Sequence, residues 1–570
     1  MNILGIFMEG PNTGAAIFRD GVVLAAAEEE RFLRQKGASE VFPSQSIRFC
    51  VREAKLALDD IDTVAVGWDH SKYPDFMDRQ MRSLPGRERD PLADTVESII
   101  HHKLSLEVAN LTIETGLARL GRKKPAKIAY YGHHLCHAAS VHYLSGFDRS
   151  GILVLDGSGE ELATTTWAGE GDDIRPVEQW KLPDSLGWFY AALTEFLGFR
   201  AYSSEGKVMG LAPYGKADPG IRRLLERFCI RDAAHVYRVD PRFVYYGRRS
   251  HSRRFTDDLV ELLGPPRLPD APLTDRYRNI AFETQALLED VAVRLAQRLN
   301  EKTGSDKLCV SGGVAMNCKM NGVLARQKFV RDIFIHPASH DSGTAIGAGL
   351  LAARDGGDNP RKQRLSHAYW GSSYSNEDVE TILKQCHIPY RRIDDIASAA
   401  AALLADGKIV GWFQGRAELG ARALGGRSIL GNPLVPEMKD IINAKVKFRE
   451  GFRPFAPSLV VEAMGKYMNN PKESPFMLLA YEFKPEYRKL LPAIVHVDGT
   501  VRPQTVSRDS NPVYWRLLDE FGKLTGHPVL LNTSFNVRGE PIVNSPHDAI
   551  RCFYSTGMDA LAIGEYLIEK

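Results

Sequence analysis

The sequence predicts an α/β protein that handles a phosphorylated ligand, and two observations carry that expectation. First, three short apolar runs each end in a glycine-containing turn. Second, helical patterns separate them. Asn2–Phe7 is the first run and leads into Glu9 and Gly10; residues 14–27 then read as a hairpin through Asp20-Gly21. Residues 151–155 form the second run, ending in Asp156-Gly157-Ser158-Gly159, and residues 307–310 the third, ending in Ser311-Gly312-Gly313-Val314. Strand-to-glycine turns leave backbone amides free to hold phosphate, so the three together favour a nucleotide-binding α/β architecture over an ordinary doubly wound sheet. Residues 280–300 place Ala281, Leu287, Leu288, Val291 and Leu295 on one stripe at helical spacing, the mark of a helix facing a core.

A chain of 570 residues has room for two to four domains at roughly 100–200 residues each. The polar stretch 354–364, broken by Gly356, Gly357 and Pro360, reads as a linker. It places a first domain at 1–355, a linker at 356–366 and a second domain at 367–570. With 73 basic and 71 acidic side chains, the balance of +2 gives no footprint for nucleic acid. Seven scattered cysteines form no C-x-x-C pair, which argues against a zinc finger or disulfide scaffold and for a reducing compartment. No stretch reaches the ~18 apolar residues of a membrane span. The N-terminus lacks a basic, then apolar, leader. A cytoplasmic protein without a membrane partner is expected.

The sharpest local feature is Gly132-His133-His134-Leu135-Cys136-His137. His133 and His137 are four apart, so on a helix both rings project from one face and can share a metal. Packed or capping histidines are the plainer alternative for a bare H-x-x-x-H. Asp156 at a strand end and Asp341 before a small-residue helix offer two more ligands, and two imidazoles with two carboxylates suit iron, manganese or zinc. In the C-terminal part, residues 415–428 interleave Arg416, Arg422 and Arg427 with glycines, followed by Lys447, Arg449, Arg453 and Arg502. Arginine reads phosphate bidentately and glycine admits close backbone approach, so an oxyanion pocket is expected over a set of surface ion pairs. Glu28-Glu29-Glu30-Arg31 reads as a solvated helix start, with Lys36 beyond it.

Eight motifs then point further: AAAEEERF (25–32), GHHLCHAAS (132–140), GKVMGLAPYG (206–215), SGGVAMNCKMNG (311–322), GRAELGARALGGRS (415–428), FRPFAPS (452–458), RPQTV (502–506) and NTSFNVRGEPIV (532–543). Collinear over nearly the whole chain, they resemble the NodU/CmcH family of O-carbamoyltransferases. The resemblance implies an N-terminal actin-like ATPase fold, a duplicated ribonuclease H-like domain, and a C-terminal YrdC-like α/β domain. It implies that ATP and carbamoyl phosphate yield carbamoyl-adenylate, whose carbamoyl group passes to a hydroxyl of a small natural product. It assigns His133, His137, Asp156 and Asp341 to a divalent metal, usually Fe(II). Lys36, Gly157, Gly313 and Asn317 fall around the nucleotide. Arg422, Lys447, Arg453, Arg502 and Asn532 fall in the carbamoyl phosphate and adenylate pocket, with Arg422 and Arg453 in catalytic roles.

One departure stands out. Many members of the family that the chain resembles carry a His-Asp or His-Asn pair before the first hairpin, where this chain reads Pro11-Asn12-Thr13. Glu9 is the nearby substitute for a general base toward the acceptor hydroxyl. The resemblance also implies a homodimer, and the segment 71–112 is expected to help select the acceptor. Two other readings are weighed against it: a tRNA-modifying carbamoyl or threonylcarbamoyl transferase, and a non-catalytic, nucleotide-gated partner-binding protein.

Overall fold

The computed structural model describes residues 1–72, 105–244 and 253–570. Most of the segment expected to select the acceptor, residues 73–104, lies outside the described residues. The chain divides into two compact units, Met1–Leu24 with Ser39–Arg364 and Ala25–Ala38 with Leu365–Lys570.

The first unit is built on two five-stranded sheets. In the first, β1 (Asn2–Phe7), β2 (Gly14–Arg19), β3 (Val22–Glu28), β4 (Thr63–Val66) and β5 (Ile128–Tyr130) run in the order β3-β2-β1-β4-β5. β2 is antiparallel to β1, while β4 and β5 are parallel to it. The expected hairpin through Asp20-Gly21 is present, and Ala25–Ala38 belongs to the second unit.

After α1 (His133–Ser145) the pattern repeats. β6 (Arg149–Gly159), β7 (Leu162–Glu170) and β8 (Asp173–Lys181) form an antiparallel meander. α2 (Asp275–Thr303) buries all five residues of the expected stripe. β9 (Lys307–Ser311) and β10 (Asp332–Ile335) then add in parallel to β6, giving the order β10-β9-β6-β7-β8. Two sheets of the same order and sense are the duplicated ribonuclease H-like arrangement of actin-like ATPases, as the resemblance implied. One expectation fails locally. Asp156 to Gly159 remain in β6 instead of forming a turn, and the ladder absorbs them as a register shift between Leu155 and Gly159.

α1 follows β5, and α3 (Ser342–Asp355) follows β10 at the equivalent place in the second half. The two helices pack closely because small residues line them. A Cβ on Gly347 would stand 1.9 Å from the Cys136 carbonyl oxygen, so no larger residue fits without separating them. Gly312, at φ +91°, turns the chain out of β9 where a Cβ would meet the Leu155 carbonyl at 2.2 Å. Six parallel strands, three in each sheet, therefore point their C-terminal ends the same way within their sheet; Ser311 ends β9, Asp156 lies in β6, and the segments leaving β1, β4, β5 and β10 carry Glu9, His70, His133 and Asp341.

The second unit is α/β as expected. Its eight-stranded mixed sheet comprises β11 (Arg391–Arg392), β12 (Val410–Phe413), β13 (Arg427–Gly431), β14 (Ala456–Val460), β15 (Gln504–Val506), β16 (Val529–Ser534), β17 (Ala560–Ile563) and β18 (Tyr566–Glu569), ordered β11-β18-β17-β12-β13-β16-β14-β15. α4 (Ile396–Ala405) and α5 (Pro512–Thr525) cover one face, burying Leu404, Tyr514, Leu517 and Phe521 against Trp412 and Leu530. The segment Ala25–Ala38 is bound into this unit. Ala26 N–H donates to the Trp370 carbonyl at 3.3 Å, and Arg34 donates to the carbonyls of Ile542 and Pro541 at 2.7 and 2.9 Å. Arg31 donates to Glu28 at 2.9 Å and to the Gly420 carbonyl at 2.6 Å. The solvated helix start expected at 28–31 is thus corrected: Glu28, Glu29 and Arg31 are buried, because tertiary partners replace their water.

Candidate functional site

The first unit brings His133, His137, Asp156 and Asp341 together, with one donor atom from each within 4.8 Å of all the others. The four-residue spacing does what a helix dictates: both Nε2 atoms project from the N-terminal turns of α1 and stand 3.1 Å apart. His133 Nε2 lies 3.2 Å from Asp156 Oδ2 and 3.8 Å from Asp341 Oδ1, and His137 Nε2 lies 3.6 Å from Asp156 Oδ2. Donors bound at about 2.1 Å to one ion stand about 3.0–3.4 Å apart between octahedral and tetrahedral angles, so the spacing suits a shared ion.

Protonation points the same way. His133 Nδ1–H donates to the Gly67 carbonyl at 3.0 Å, which leaves Nε2 a lone pair in the neutral ring. Nε2 faces the second imidazole and two carboxylates. Burial depresses His133, yet the hydrogen bond to Asp156 and the charge of Asp341 outweigh it and push the ring up to about 9. Burial and the neighbouring His133 charge drive His137 down to about 4. Burial and the Asp156 charge raise Asp341 to about 7, while hydrogen bonds from both histidines hold Asp156 well below the usual carboxylate range against its burial. The four donor types and their spacing fit a divalent ion.

Neighbours fix the ligands. Ser311 Oγ holds His137 Nδ1 at 3.1 Å, and Gly313 N–H donates to Asp156 Oδ1 at 2.9 Å. Glu160 accepts the backbone N–H groups of His133 at 3.0 Å and Asp69 at 2.8 Å. Sequence spacing gave no signal for Glu160 or His70, because strand order alone carries them here. Gly157 and Asn317 lie in the same unit. The Gly157 carbonyl accepts from Ser185 Oγ at 2.7 Å. Asn317 caps the helix Cys318–Ala325 and pairs with Gln285 at 2.8 and 3.0 Å, so its amide is committed to protein partners. The Glu9 side chain is buried, accepts from Met8 N–H at 2.8 Å and bonds His70 Nε2 at 2.7 Å.

The second unit holds the cations. Lys447 ends a π-helical turn, Asn443–Lys447, and is buried. Its Nζ donates to Ser534 O, to Ser534 Oγ at 3.2 Å, and to Asn536 O and Oδ1 at 3.0 and 2.7 Å, all neutral acceptors. Burial drives its ammonium well below the ordinary 10.5, and the charges of Arg449, Arg453 and Lys36 add to the depression. Burial and the Arg453 charge lower Arg449 to about 9, and Arg453 is lowered by burial and by Arg502. Four neutral acceptors take up the Lys447 ammonium, and Glu450 is the carboxylate whose charge bears on Arg449 and Arg453. Lys36, Lys447, Arg449, Arg453 and Arg502 thus form a positive region that an anion would stabilise.

Other members of the expected pocket have different work. Arg427 is fully buried, donates to the carbonyls of Ser372, Gln414, Gly415 and Gly426, and lies 3.6 Å from the Phe413 ring centroid. Glu418 accepts from the amides of Leu424, Gly426 and Arg427 at 2.6–3.3 Å. The interleaved arginines were expected to face phosphate. Arg427 instead holds the loop 415–428 together, and Arg416 binds the carbonyls of Trp370 and Gly371. Arg422 remains on that loop, half-buried. Asn532 is buried in β16, donating to Ala423 O, Ser458 Oγ and Gln504 Oε1.

An α/β protein with a metal-ready donor cluster on a duplicated ribonuclease H-like unit, and a cation cluster on a second unit, belongs among phosphoryl- and acyl-handling enzymes. Profiles described as carbamoyltransferase N-terminus and carbamoyltransferase C-terminus match residues 2–350 and 401–570. The chain belongs to this carbamoyltransferase family and is an enzyme, a carbamoyltransferase. It is 38% identical over 573 residues to nodulation protein NolNO of Sinorhizobium fredii, covering 98% of this chain and 80% of that one. It is 40% identical over 444 residues to nodulation protein NolO of Bradyrhizobium diazoefficiens, covering 77% and 78%. A 3'-hydroxymethylcephem-O-carbamoyltransferase of Streptomyces clavuligerus is 33% identical over 352 residues, 61% of each chain.

Proposed function

We propose that the second unit makes carbamoyl-adenylate and that the metal-ligand cluster of the first unit passes its carbamoyl group to a hydroxyl of a small natural product. In the first step water releases phosphate from carbamoyl phosphate, a carbamate oxygen attacks the α-phosphorus of ATP, and pyrophosphate leaves. The observation that carries this is the buried cation group around Lys447, which has neutral acceptors where an anion would otherwise sit. Arg449, Arg453 and Arg502 add charge for the phosphoryl oxygens.

In the second step the acceptor oxygen bonds to the carbamoyl carbon and AMP leaves. A divalent ion held by His133, His137, Asp156 and Asp341, Fe(II) in this reading, supplies Lewis-acid stabilisation of the charge that develops on the leaving phosphate. Gly67 and Ser311 keep the two imidazoles oriented throughout. The name of the Streptomyces relative specifies a hydroxymethylcephem acceptor, which supports a hydroxyl of a small molecule as the acceptor. A small molecule, and not tRNA, is our proposed partner, consistent with a net charge of +2.

The test measures pyrophosphate release from ATP with carbamoyl phosphate, and carbamoyl addition across a panel of hydroxylated metabolites, read by mass. Arg453→Ala is expected to lower pyrophosphate release by about 100-fold, the loss of a charge-assisted contact. His137→Ala is expected to keep that release and lose transfer. Equal loss of both half-reactions in His137→Ala would argue for one site and against this scheme.

A further inference from the structure

Resting on the anion site just proposed for the second unit, we infer that Arg34 is the positioning residue of Lys447: it fixes the loop whose Asn536 holds the lysine ammonium. The chain of contacts is continuous within that unit, to which Ala25–Ala38 belongs. Lys447 Nζ donates to Asn536 Oδ1 at 2.7 Å, and Asn536 Nδ2 donates to the Glu540 carbonyl at 2.7 Å. The next two carbonyls, Pro541 and Ile542, accept from Arg34 Nη2 and Nη1 at 2.9 and 2.7 Å. Of three successive carbonyls, one orients Asn536 and two are held by Arg34.

The orientation of Asn536 matters because its amide carries an acceptor at one end and two donors at the other. With Nδ2 committed to Glu540 O, Oδ1 is turned to Lys447 and also accepts from Ser534 Oγ at 2.8 Å. A shifted carbonyl at 540 would free the amide to rotate and turn its NH2 group toward the cation. Arg34 prevents that shift. Its planar fork spans two adjacent carbonyls at once, which a lysine ammonium on a flexible stem does not.

Arg34 is itself anchored. Its Nε lies 3.3 Å from Asp548 Oδ1, while Asp548 Oδ2 accepts the Asn544 and Ser545 N–H groups at 3.1 and 3.0 Å, ahead of the helix Pro546–Tyr554. Its backbone stands in the left-handed region at φ 57° and ψ 24°, closing the short helix Glu30–Leu33, a place where glycine carries no steric cost. What the guanidinium holds offsets that cost. Two residues on, the Lys36 charge adds to the depression of Lys447, so a second cation of the segment bears on the same ammonium. The Glu540 carboxylate lies 3.9 Å from Arg34 and 3.1 Å from the exposed Arg551, so Arg551 meets this loop through a side chain and Arg34 through its backbone as well.

The experiment titrates inorganic phosphate into the full chain by calorimetry and measures pyrophosphate release with ATP and carbamoyl phosphate, alongside the thermal midpoint. Wild type is compared with Arg34→Met, Arg34→Lys, Asn536→Ala, the double variant Arg34→Met/Asn536→Ala, and Arg551→Ala as a control; Lys447→Met, expected to lose the phosphate, locates it. Both Arg34 variants are expected to weaken phosphate binding by about 10-fold, lysine no less than methionine, and to lower kcat/KM for carbamoyl phosphate in parallel. Asn536→Ala is expected to weaken binding about as much, and the double variant no more than about twofold further, because both act through one contact. Arg551→Ala is expected to bind phosphate as wild type does. If Arg34→Met does not fold, Arg34→Lys, which keeps a cation beside Asp548, takes its place alone and in the double variant. Wild-type phosphate affinity in Arg34→Lys with only a lowered midpoint, or two independent losses multiplying to about 100-fold in the double variant, would overturn the assignment of Arg34. Wild type that binds no phosphate and releases no pyrophosphate sinks the anion-site reading itself.

Discussion

At the residue scale, Lys447 is the side chain whose environment is easiest to test. The unfolded chain keeps its proton up to the ordinary 10.5, whereas burial and the Arg449 charge make the folded chain release it at lower pH. Between those two values the unfolded state binds more protons, so raising the pH toward 10.5 stabilises the fold. The anion-free protein is expected to show this as a thermal midpoint that gains on the upward pH leg, a gain smaller in Lys447→Met and in the presence of inorganic phosphate. An identical pH slope in the variant would count against the buried-cation assignment. Metal removal is the matching test in the first unit. A chelator is expected to lower the midpoint of wild type, the loss in unfolding free energy being about 2.7 kcal/mol if the ion had been at 100 times its dissociation constant. It should leave His137→Ala unmoved.

At the element scale, the placing of the ligands depends on the packing of α1 against α3. His133 and His137 were legible because four-residue spacing has one outcome on a helix. That Asp341 joins them depends on Gly347, which lets the helix following Asp341 approach the Cys136 carbonyl. Gly347→Val is therefore expected to destabilise the first unit by about 1–3 kcal/mol, the usual cost of overpacking, and to reduce bound metal in proportion. Denaturant melts and metal analysis of the purified variant read both effects; full metal content in a well-folded variant would show that the helix contact does not place Asp341. The glycine-rich stretch after Leu155 was less legible. Asp156 to Gly159 stay in β6 because β7 pairs with the strand on either side of the shift, a partner that local glycine content cannot reveal.

At the scale of the whole molecule, chain order and compact units differ. Ala25–Ala38 lies near the N-terminus of the sequence yet belongs to the second unit through Arg31 and Arg34. A fragment of residues 365–570 would lack those guanidiniums and leave the carbonyls of Gly420, Pro541 and Ile542 without them. It is expected to melt without cooperativity and to release no pyrophosphate, and a sharp, wild-type-like transition would show that the segment is dispensable to the unit. Among the described residues no helix is long and apolar enough to cross a membrane.

The sequence by itself determined the α/β class, the core stripe of α2, the one-face spacing of His133 and His137 and the family, because periodicity, i/i+4 spacing and long collinear motifs are local properties of the chain. Tertiary structure alone decided the rest. It set the buried partners of Glu28 and Arg31, turned Arg427 from a phosphate ligand into the clasp of its own loop, and joined Glu9 to His70 across 61 positions. The physical reason is common to all three. The energy of a charged side chain depends on what replaces its water, and which group does so is fixed by strand order and packing, not by its neighbours in sequence.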